Sequence, residues 1–279
     1  MITAATRVAG VIGDPVRHTL SPRLHNAAYR ALGLDWVYVA FEVPEGGAAA
    51  ALDAARVLDL IGLSVTMPHK RAVAAACDEL TPDAAALDSV NTVTRLAGGR
   101  TLGDSTDGPG FLRALADAGV HPAGQSVLLL GAGGAARAVA RALGTAGARV
   151  VVAARKPAAA GEVAALATGM SVDWGDRDAA AAEAGIVVNA TPLGMGVDAG
   201  AATLPVSAAS IGPGQVFAEL VYHPAETRLL TQARERGAVV VGGLGMLVHQ
   251  AALQVERWAG RPAPLDAMWA AVDPGAGRS

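Results

Sequence analysis

Short runs of β-branched residues alternate with alanine-rich stretches along most of the chain. The β-branched runs predict strands over residues 7–12, 36–42, 62–66, 90–95, 126–130, 149–153, 186–190, 215–220 and 238–241. The alanine-rich stretches predict helices, among them residues 22–32, 48–57, 134–146 and 225–236. Strands that alternate with helices of this length are typical of an α/β protein that has parallel sheets with helices on both faces.

A domain boundary is predicted near the middle of the chain. The turn-rich segment GDSTDGPG, and a second series of strands and helices after HPAGQ, put it within residues 107–124. After the last predicted strand, only the helical patterns GMLVHQAALQVERWAG and PLDAMWAAV follow. We therefore predict a first domain of residues 1–107, completed by the helices of residues 244–279, and a second domain of residues 108–243. We expect a cleft between them, with the C-terminal helices as one wall.

The composition excludes several classes of protein. The net charge is −3 at pH 7, and lysine and arginine are scattered singly, which leaves no basic patch for nucleic acid. The only cysteine, Cys77, rules out an internal disulfide and suits a reducing compartment. The N-terminal residues do not resemble a signal peptide, and no window of about twenty apolar residues predicts a membrane span. We expect a soluble, cytoplasmic protein.

Residues 126–143, SVLLLGAGGAARAVARAL, have the pattern of a buried strand, a glycine turn and a helix. The glycines let the backbone turn tightly and approach a pyrophosphate, and the N–H groups that open the helix face the anion. A second strand, ARVVVAAR, follows, which is the context that such a motif requires. We predict that a dinucleotide binds at Gly131, Ala132, Gly133, Gly134 and Ala135. A glycine-rich turn without a ligand is the alternative.

The end of ARVVVAAR indicates which dinucleotide binds. An NAD-binding domain usually places Asp or Glu about 20 residues after the glycines, where it accepts a hydrogen bond from the ribose 2′-OH. Here the sequence has Ala154, Arg155 and Lys156. Two cations without a carboxylate suit the 2′-phosphate of NADP, which an arginine can bind in bidentate fashion. A solvated basic loop is the alternative.

Four polar clusters lie at predicted strand ends or in the loops that follow: HTLSPRLHN (18–26), SVTMPHK (64–70), SVNT (89–92) and GDSTDG (103–108). Ligands of open α/β sheets gather at the carboxyl ends of strands. Taken singly, Ser21-Pro22 also fits a helix N-cap followed by proline, and Asp107-Gly108 fits a turn. Together the clusters supply hydroxyls, an amide, a carboxylate and an ammonium, a set that suits a small polyhydroxylated acid.

These clusters, in this order, resemble the shikimate dehydrogenase family almost from end to end. The similarity continues through GAGGAARA (131–138), NATPLGM (189–195), ELVYHPAETRLL (219–230) and GLGMLVHQA (243–251). The resemblance implies a substrate domain completed by C-terminal helices and a Rossmann-type NADP-binding domain. It also implies the reversible reduction of 3-dehydroshikimate to shikimate, on the route to the aromatic amino acids.

The resemblance assigns roles to individual residues. The substrate-binding positions correspond to Thr19, Ser21, Thr66, Lys70, Asn91, Asp107, Tyr222 and Gln250. Thr19 and Ser21 match the hydroxyls that hold the substrate carboxylate, and Tyr222 matches a tyrosine near it. Thr66, Asn91, Asp107 and Gln250 match the groups that bind the ring hydroxyls. Leu220 and Gly243 match positions that line the nicotinamide.

The sequence departs from the family at several points. Thr19 stands where serine is usual, Ser64 where asparagine is common, and Glu219 where aspartate is common. At the 2′-phosphate, residues 154–156 replace the usual Asn-Arg-Thr, and the later basic residue of the family falls near Ala159. The differences at the 2′-phosphate bear on the strictness of NADP selectivity more than on activity.

Lys70 matches the catalytic lysine of the family, and a solvated surface lysine is the alternative. When hydride adds to a ketone, an ammonium beside the oxygen donates a proton and stabilises the developing negative charge. In the reverse direction the neutral amine takes the proton from the alcohol. We predict that Lys70 carries this proton and that Asp107 holds both Lys70 and a substrate hydroxyl. The histidines have no metal-ligand spacing, so we expect no metal.

Three other functions remain as alternatives. Quinate and an aminated shikimate analogue are substrates of the same chemical class. Quinate has an extra hydroxyl on the ring carbon that carries the carboxylate, and the methyl group of Thr19 reduces the space there. A non-catalytic sensor of shikimate-like ligands is disfavoured, because a pure binding protein needs neither Lys70 nor Asp107. The sequence leaves the oligomeric state open between a monomer and a homodimer.

Overall fold

A computed structural model describes residues 2–196 and 203–273. Within these residues the chain forms two six-stranded sheets flanked by helices, which confirms the predicted α/β class. The strands are β1 (Arg7–Gly13), β2 (Trp36–Glu42), β3 (Gly62–Val65), β4 (Glu79–Leu80), β5 (Thr92–Arg95), β6 (Thr101–Asp104), β7 (Ser126–Leu130), β8 (Arg149–Ala154), β9 (Met170–Asp173), β10 (Ile186–Asn189), β11 (Val216–Glu219) and β12 (Val239–Val241).

The helices cover the faces of both sheets. They are α1 (Ser21–Ala31), α2 (Ala48–Val57), α3 (Lys70–Ala76), α4 (Pro82–Leu87), α5 (Asp107–Asp117), α6 (Gly134–Thr145), α7 (Pro157–Leu166), α8 (Arg177–Glu183), α9 (Arg228–Glu235), α10 (Gly243–Ala259) and α11 (Leu265–Val272). In the part of the chain that the structure describes, none of them is long and apolar enough to cross a membrane.

The sequence analysis missed three strands and several short helices. Strands β4 (EL), β6 (TLGD) and β9 (MSVD) contain at most one β-branched residue each, so they lack the pattern that predicts the other strands. Helix α5 begins at Asp107, where a turn was predicted from GDSTDGPG. Proline is tolerated in the first turn of a helix, and Phe111, Ala114 and Leu115 then form a buried stripe.

The described chain folds into two compact units. The first unit comprises residues 2–106 and 248–273, and the second comprises residues 107–196 and 203–247. Asp107 and residues 244–247 therefore fall in the second unit, whereas the predicted boundaries put them in the first domain. The indole Nε1 of Trp258, on α10, donates to the backbone oxygen of Val93 at 3.1 Å. This bond ties the later part of α10 to strand β5 of the first unit.

The sheet of the first unit is mixed. Its strand order is β2-β1-β3-β5-β6-β4, and β5 is antiparallel to both of its neighbours. The other pairs are parallel. The expectation of parallel strands throughout is wrong here, because only residues 96–100 join β5 to β6. A parallel connection needs about a dozen residues or more, so this short link makes a hairpin.

The sheet of the second unit is parallel, with the order β12-β11-β10-β7-β8-β9. This is the 3-2-1-4-5-6 order of doubly wound dinucleotide-binding folds. Alternate residues of β7 are buried on opposite faces: Val127 and Leu129 pack in one core cluster, and Leu128 and Leu130 in the other. Because both faces are covered, the strand is a continuous apolar run.

Candidate active site

The predicted substrate residues of the first unit surround one edge of its sheet. Strands β1, β3 and β6 run in the same direction, and β5 runs in the opposite direction between β3 and β6. The carboxyl ends of β1, β3 and β6 therefore meet the amino end of β5 at one edge. The residues of the first unit that flank these ends in the chain include Thr19, Ser21, Thr66, Lys70 and Asn91, and Asp107, the first residue of the second unit, follows the end of β6.

Thr19 and Ser21 place two hydroxyls side by side after β1. The Thr19 hydroxyl accepts the backbone N–H of Ser21 at 3.2 Å and donates to the Ser21 Oγ at 3.0 Å. The N-cap position of α1 is Leu20, so the alternative of Ser21 as the helix cap is wrong. Within the described chain the Ser21 hydroxyl donates to no other group, so its proton can point to a ligand.

Thr66 and Lys70 follow β3. The backbone N–H of Thr66 donates to the carbonyl of Ile12 at 3.0 Å, and a side chain at Gly13 would collide with the Thr66 methyl group. Thr66 is therefore held against the end of β1. Lys70 is half-buried and opens α3, and its carbonyl accepts the N–H of Val90 at 3.0 Å. This backbone bond connects Lys70 to the residue before Asn91.

Asn91 is the centre of a buried hydrogen-bond cluster. Its Oδ1 accepts from the Thr92 hydroxyl and from the backbone N–H of Thr106, each at 2.8 Å. Its Nδ2 donates to the Thr106 hydroxyl at 3.0 Å. Thr106 directly precedes Asp107, which is the first residue of α5 and only 8% exposed. The Asn91 side chain thus fixes the backbone that leads into Asp107.

Gln254 belongs to the same cluster, and the sequence analysis missed it. Its Nε2 donates to the Thr92 hydroxyl at 3.0 Å and to the Asn91 carbonyl at 3.2 Å, and its Oε1 accepts from the Ser64 hydroxyl at 2.7 Å. Gln250 lies one turn earlier on α10 and therefore on the same face of the helix. The spacing of the two glutamines was visible in the sequence, but their distant partners were not.

Ser64, which stands where asparagine is common in the family, joins two other side chains by hydrogen bonds. The Ser64 hydroxyl accepts from the Tyr38 hydroxyl at 2.6 Å and donates to the Gln254 Oε1. Tyr38 stacks on the His25 ring at a centroid distance of 4.0 Å. Burial lowers the pKa of His25 to about 4, which keeps this ring neutral above that pH. His25 is therefore a core residue.

The glycine turn of the second unit has the backbone that a pyrophosphate site needs. Gly131 has a φ of +111°, and a Cβ there would lie 2.8 Å from the Ala190 carbonyl oxygen, so only glycine fits without strain. Gly133 is the N-cap residue of α6, and Gly134 is its first residue. Both are exposed, and Ala132 is half-buried. This geometry fits a phosphate bound by backbone N–H groups.

A cavity of about 910 Å³ adjoins the turn. Most of its lining comes from the carboxyl ends of β7 to β10. The lining residues are Gly131, Ala132, Gly133, Ala154, Arg155, Lys156, Ala159, Trp174, Arg177, Ala190, Thr191, Pro192, Leu193, Thr203 and Leu204. None of these residues is acidic, and three of them are cationic. The charge of the described lining therefore suits a ligand with several phosphates.

Leu220 and Gly243, predicted to line the nicotinamide, lie in contact. A side chain at Gly243 would collide with the backbone carbonyls of Leu220 and Val221. Glycine at this position lets the start of α10 approach the end of β11 closely. Tyr222 follows two residues after Leu220, and burial raises the pKa of its phenol.

Glu219 organises the loops around the end of β11. Its Oε1 accepts from the Asn189 Nδ2 at 2.9 Å and from the backbone N–H of Leu220 at 3.1 Å, and its Oε2 accepts from the Thr227 hydroxyl at 3.1 Å. Burial outweighs these bonds and raises the pKa of Glu219 to about 7. Asn189, the first residue of NATPLGM, also donates to the Leu193 carbonyl at 3.0 Å. The motif thus shapes one cavity wall.

The other titratable candidates do not form a reactive cluster. The Nε2 of His69 forms a partly buried hydrogen bond of 2.7 Å with the Val43 carbonyl oxygen. Burial raises the pKa of Cys77 to about 11, so this thiol stays protonated at neutral pH. Across residues 2–196 and 203–273, no group of three or more His, Cys, Asp and Glu is arranged to hold a metal ion.

Comparison with known proteins agrees with this geometry. Residues 11–93 match the family described as "Shikimate dehydrogenase substrate binding domain", and residues 243–272 match the one described as "Shikimate 5'-dehydrogenase C-terminal domain". The chain is 45% identical over 273 residues to the shikimate dehydrogenase (NADP(+)) of Symbiobacterium thermophilum, covering 94% of this chain and 92% of that protein.

Two solved structures are similar over nearly their whole length. Shikimate 5-dehydrogenase from Thermus thermophilus, in complex with NADP(H) and shikimate, has a TM-score of 0.87 at 37% identity, over 95% of this chain and 98% of that one. Quinate dehydrogenase from Corynebacterium glutamicum, in complex with NAD, has a TM-score of 0.89 at 30% identity, over 95% and 98%. The similarity to this second enzyme makes substrate and cofactor choice the questions to test.

Proposed function

The chain belongs to the shikimate dehydrogenase family, and from this premise we propose that it catalyses the reversible, NADP-dependent reduction of 3-dehydroshikimate to shikimate. The observation that carries the proposal is the gathering of hydroxyl, amide and ammonium groups at one sheet edge of the first unit. This edge supplies donors for a carboxylate and for ring hydroxyls, beside a lysine that can exchange a proton.

Most of the groups that hold the substrate are uncharged, with Asp107 and Lys70 as the charged exceptions. The Ser21 hydroxyl, oriented by Thr19, donates to the substrate carboxylate. Thr66, Asn91 and Gln250 bind the ring hydroxyls, and Tyr222 closes over the carboxylate end. The cluster around Asn91 and Gln254 is already hydrogen-bonded before a ligand arrives, so little ordering of side chains opposes binding.

Lys70 carries the proton. During reduction its ammonium donates a proton to the carbonyl oxygen as that oxygen gains negative charge, and during oxidation its amine takes the hydroxyl proton. Asp107 accepts hydrogen bonds from Lys70 and from a substrate hydroxyl, and so fixes the distance between them. A pure binding protein does not need this pair of residues together, which argues against a non-catalytic sensor.

The second unit holds the cofactor. Bound NADP supplies the hydride for reduction and accepts it in oxidation. The N–H groups at Gly131–Ala135 bind the pyrophosphate, and Arg155 and Lys156 bind the 2′-phosphate. Leu220 and Gly243 form the surface against which the nicotinamide lies. This assignment makes the first unit, residues 2–106 with 248–273, a substrate domain and the second unit a cofactor domain.

Compartment and assembly are part of the same proposal. A protein with a single, protonated cysteine suits the reducing cytoplasm, where the pathway to aromatic amino acids operates. The substrate is a small molecule, and no nucleic acid or membrane partner is required. The working unit is one chain or a homodimer, which sedimentation equilibrium across a range of concentrations decides.

The test is initial-rate measurement at 340 nm with shikimate and quinate, each with NADP⁺ and NAD⁺. We expect the highest kcat/KM for shikimate with NADP⁺. Thr19→Ser is the matched variant for substrate choice, because it removes only the methyl group near the carboxylate. This variant should raise kcat/KM for quinate relative to kcat/KM for shikimate. A wild-type enzyme that prefers quinate would overturn the shikimate assignment, and one that is inactive with all four pairs would favour the sensor.

A further inference from the structure

The cofactor cavity contains a cation that the family resemblance does not explain. Arg177, the first residue of α8, lines this cavity together with Arg155 and Lys156. The family places a later basic residue near Ala159, which here has no charge although it also lines the cavity. A cation from another element is therefore available where the usual one is missing.

The sheet register puts Arg177 at the same carboxyl edge of the sheet as Arg155. Ala154 of β8 pairs with Asp173 of β9. The next residues, Arg155 and Trp174, therefore leave neighbouring strands side by side, at roughly the 5 Å spacing of paired strands. One turn of 3₁₀ helix, Trp174–Asp176, then leads to Arg177. Both segments are at the carboxyl edge of the sheet, where doubly wound folds bind their ligands.

The guanidinium of Arg177 is fixed before any ligand binds. Its Nε donates to the Pro205 carbonyl at 2.9 Å, and its Nη1 donates to the Trp174 carbonyl at 2.8 Å. Its Cζ lies 4.7 Å from the centroid of the Trp174 ring, in a cation–π contact. Within the described residues its Nη2 has no hydrogen-bond partner, which leaves two N–H donors for an anion.

We propose that Arg177 binds the 2′-phosphate of NADP and that Trp174 is the positioning residue that holds it there. The inference rests on the proposed NADP-dependent function. Arg155 and Lys156 are exposed, so they must lose side-chain freedom when they bind a phosphate. Arg177 is half-buried and already oriented, so it contributes charge-assisted hydrogen bonds with less loss of freedom. The Trp174–Arg177 pair thereby supplies the selectivity that Ala159 does not.

The test is calorimetric titration of the full-length protein with adenosine 2′,5′-bisphosphate and with adenosine 5′-monophosphate, which differ only in the 2′-phosphate. Arg177→Gln should weaken binding of the bisphosphate by roughly 10- to 100-fold, the loss expected for hydrogen bonds between charged groups. Binding of the monophosphate should change less than about twofold. The matched control is Arg149→Gln, because Arg149 also donates to a carbonyl but opens β8 at the opposite sheet edge.

Arg177→Lys separates charge from geometry, because it keeps the cation and loses the fork that holds it over Trp174. We expect an intermediate loss for the bisphosphate. Trp174→Phe serves as a spectroscopic control, since the other tryptophans, Trp36, Trp258 and Trp269, are all in the first unit. Bisphosphate binding should change the tryptophan emission of the wild type and not that of Trp174→Phe.

The outcomes are distinguishable. If Arg177→Gln loses affinity equally for both nucleotides, or loses it for neither, the role of Arg177 is overturned. The NADP-dependent function would then remain intact. A wild-type protein that binds both nucleotides equally would instead overturn the NADP assignment itself. Thermal unfolding of each variant identifies a misfolded protein. If Arg177→Gln is misfolded, Arg177→Lys is the variant that tests the proposal. A ratio of bisphosphate to monophosphate affinity equal to that of the wild type would then contradict it.

Discussion

The two ligand-binding regions of this protein hold their side chains in different ways. In the first unit, Asn91 and Gln254 are 3% and 1% exposed, and the Gln254 side chain donates to the Asn91 backbone carbonyl. In the second unit, Arg155 and Lys156 are exposed, and the glycine turn offers backbone groups to the ligand. In the first region the polar groups are therefore hydrogen-bonded and buried, whereas in the second the charged side chains are exposed.

This difference determines what a substitution does. A change in the first region leaves buried polar groups without partners, and it therefore lowers both stability and substrate binding. A change at the cavity rim alters the attraction for a phosphate while the fold is unaffected, because exposed cations contribute little to stability. Lys70 differs from both cases, since in the proposed reaction its contribution would be made mainly in the transition state.

The largest expected effect is that of Lys70→Ala. Loss of the proton donor should lower kcat by roughly 10²–10⁴-fold, the usual contribution of general acid–base catalysis. The dissociation constant for shikimate should change far less, because the hydroxyl and amide groups remain. Steady-state rates and calorimetry measure the two quantities separately. The matched control is Arg71→Ala, the next residue of α3, whose side chain is 84% exposed. A near-normal kcat in Lys70→Ala would contradict the assignment.

Glu219 gives the second region a dependence on pH. Its pKa is raised from 4.5 to about 7, so the folded protein holds this proton over a pH range in which the unfolded chain has lost it. The free energy of unfolding should therefore fall as pH rises from 4.5 to 7, by roughly 3 kcal/mol in all, and the contribution should be constant above pH 7.

Glu219→Gln tests this dependence. The amide keeps an oxygen for Asn189 and Leu220 and can donate to the Thr227 hydroxyl, so the loops should keep their positions. Urea unfolding at pH 5 and pH 8 gives the free energies. The decrease in the free energy of unfolding from pH 5 to pH 8 should be smaller in the variant than in the wild type. Titration of His25 is common to both proteins and cancels in the difference. Equal losses would show that Glu219 is ionised throughout.

Gln254→Ala breaks the first region without touching a ligand position. The Ser64 and Thr92 hydroxyls would lose a buried partner, which should lower the free energy of unfolding by about 2 kcal/mol. The KM for shikimate should rise, because Asn91 loses its support. Urea unfolding and steady-state kinetics measure these effects. In Gln232→Ala, where the side chain bonds only to the exposed side chains of Glu235 and Arg236, stability should change by less than about 0.5 kcal/mol.

The two regions also differ in how far the sequence predicts them. The turn at Gly131 and the cations at 155–156 are contiguous with a strand and a helix, so their arrangement follows from local pattern. Strands β2 and β7 have the predicted bounds for the same reason. The cluster around Asn91 joins four separate segments, and neither Gln254 nor the Tyr38–Ser64 bond could be inferred from spacing.

The antiparallel hairpin of β5 and β6 escaped prediction for a different reason. The sequence predicts β5 but not β6, whose TLGD has only one β-branched residue, so the partner strand of the hairpin was not visible. The hairpin nevertheless sets the site, because it brings Asn91 and Thr106 to the edge where β1 and β3 end. The roles of the individual site residues remain predictions that the variants address.

The smallest expected effect is that of Arg155→Ala on the cavity rim. Loss of one exposed cation should raise the KM for NADP⁺ by roughly tenfold, equivalent to about 1.4 kcal/mol, and leave the KM for NAD⁺ nearly unchanged. Stability should stay within about 0.5 kcal/mol of the wild type. Initial rates with both cofactors provide the measurement, and thermal unfolding provides the control. Equal increases for the two cofactors would place Arg155 away from the 2′-phosphate.

The central claim is that the first region binds the substrate and the second binds the cofactor. It is tested most directly by calorimetric titration of shikimate and of NADP⁺, each into the wild type, Ser21→Ala and Arg155→Ala. The account predicts that Ser21→Ala weakens shikimate by roughly 1–3 kcal/mol and leaves NADP⁺ unchanged. Arg155→Ala should weaken NADP⁺ and leave shikimate unchanged. Weakening of both ligands by either substitution would contradict two separately built sites. Weakening of neither ligand by Ser21→Ala, with a lower melting temperature, would make Ser21 a structural residue of α1.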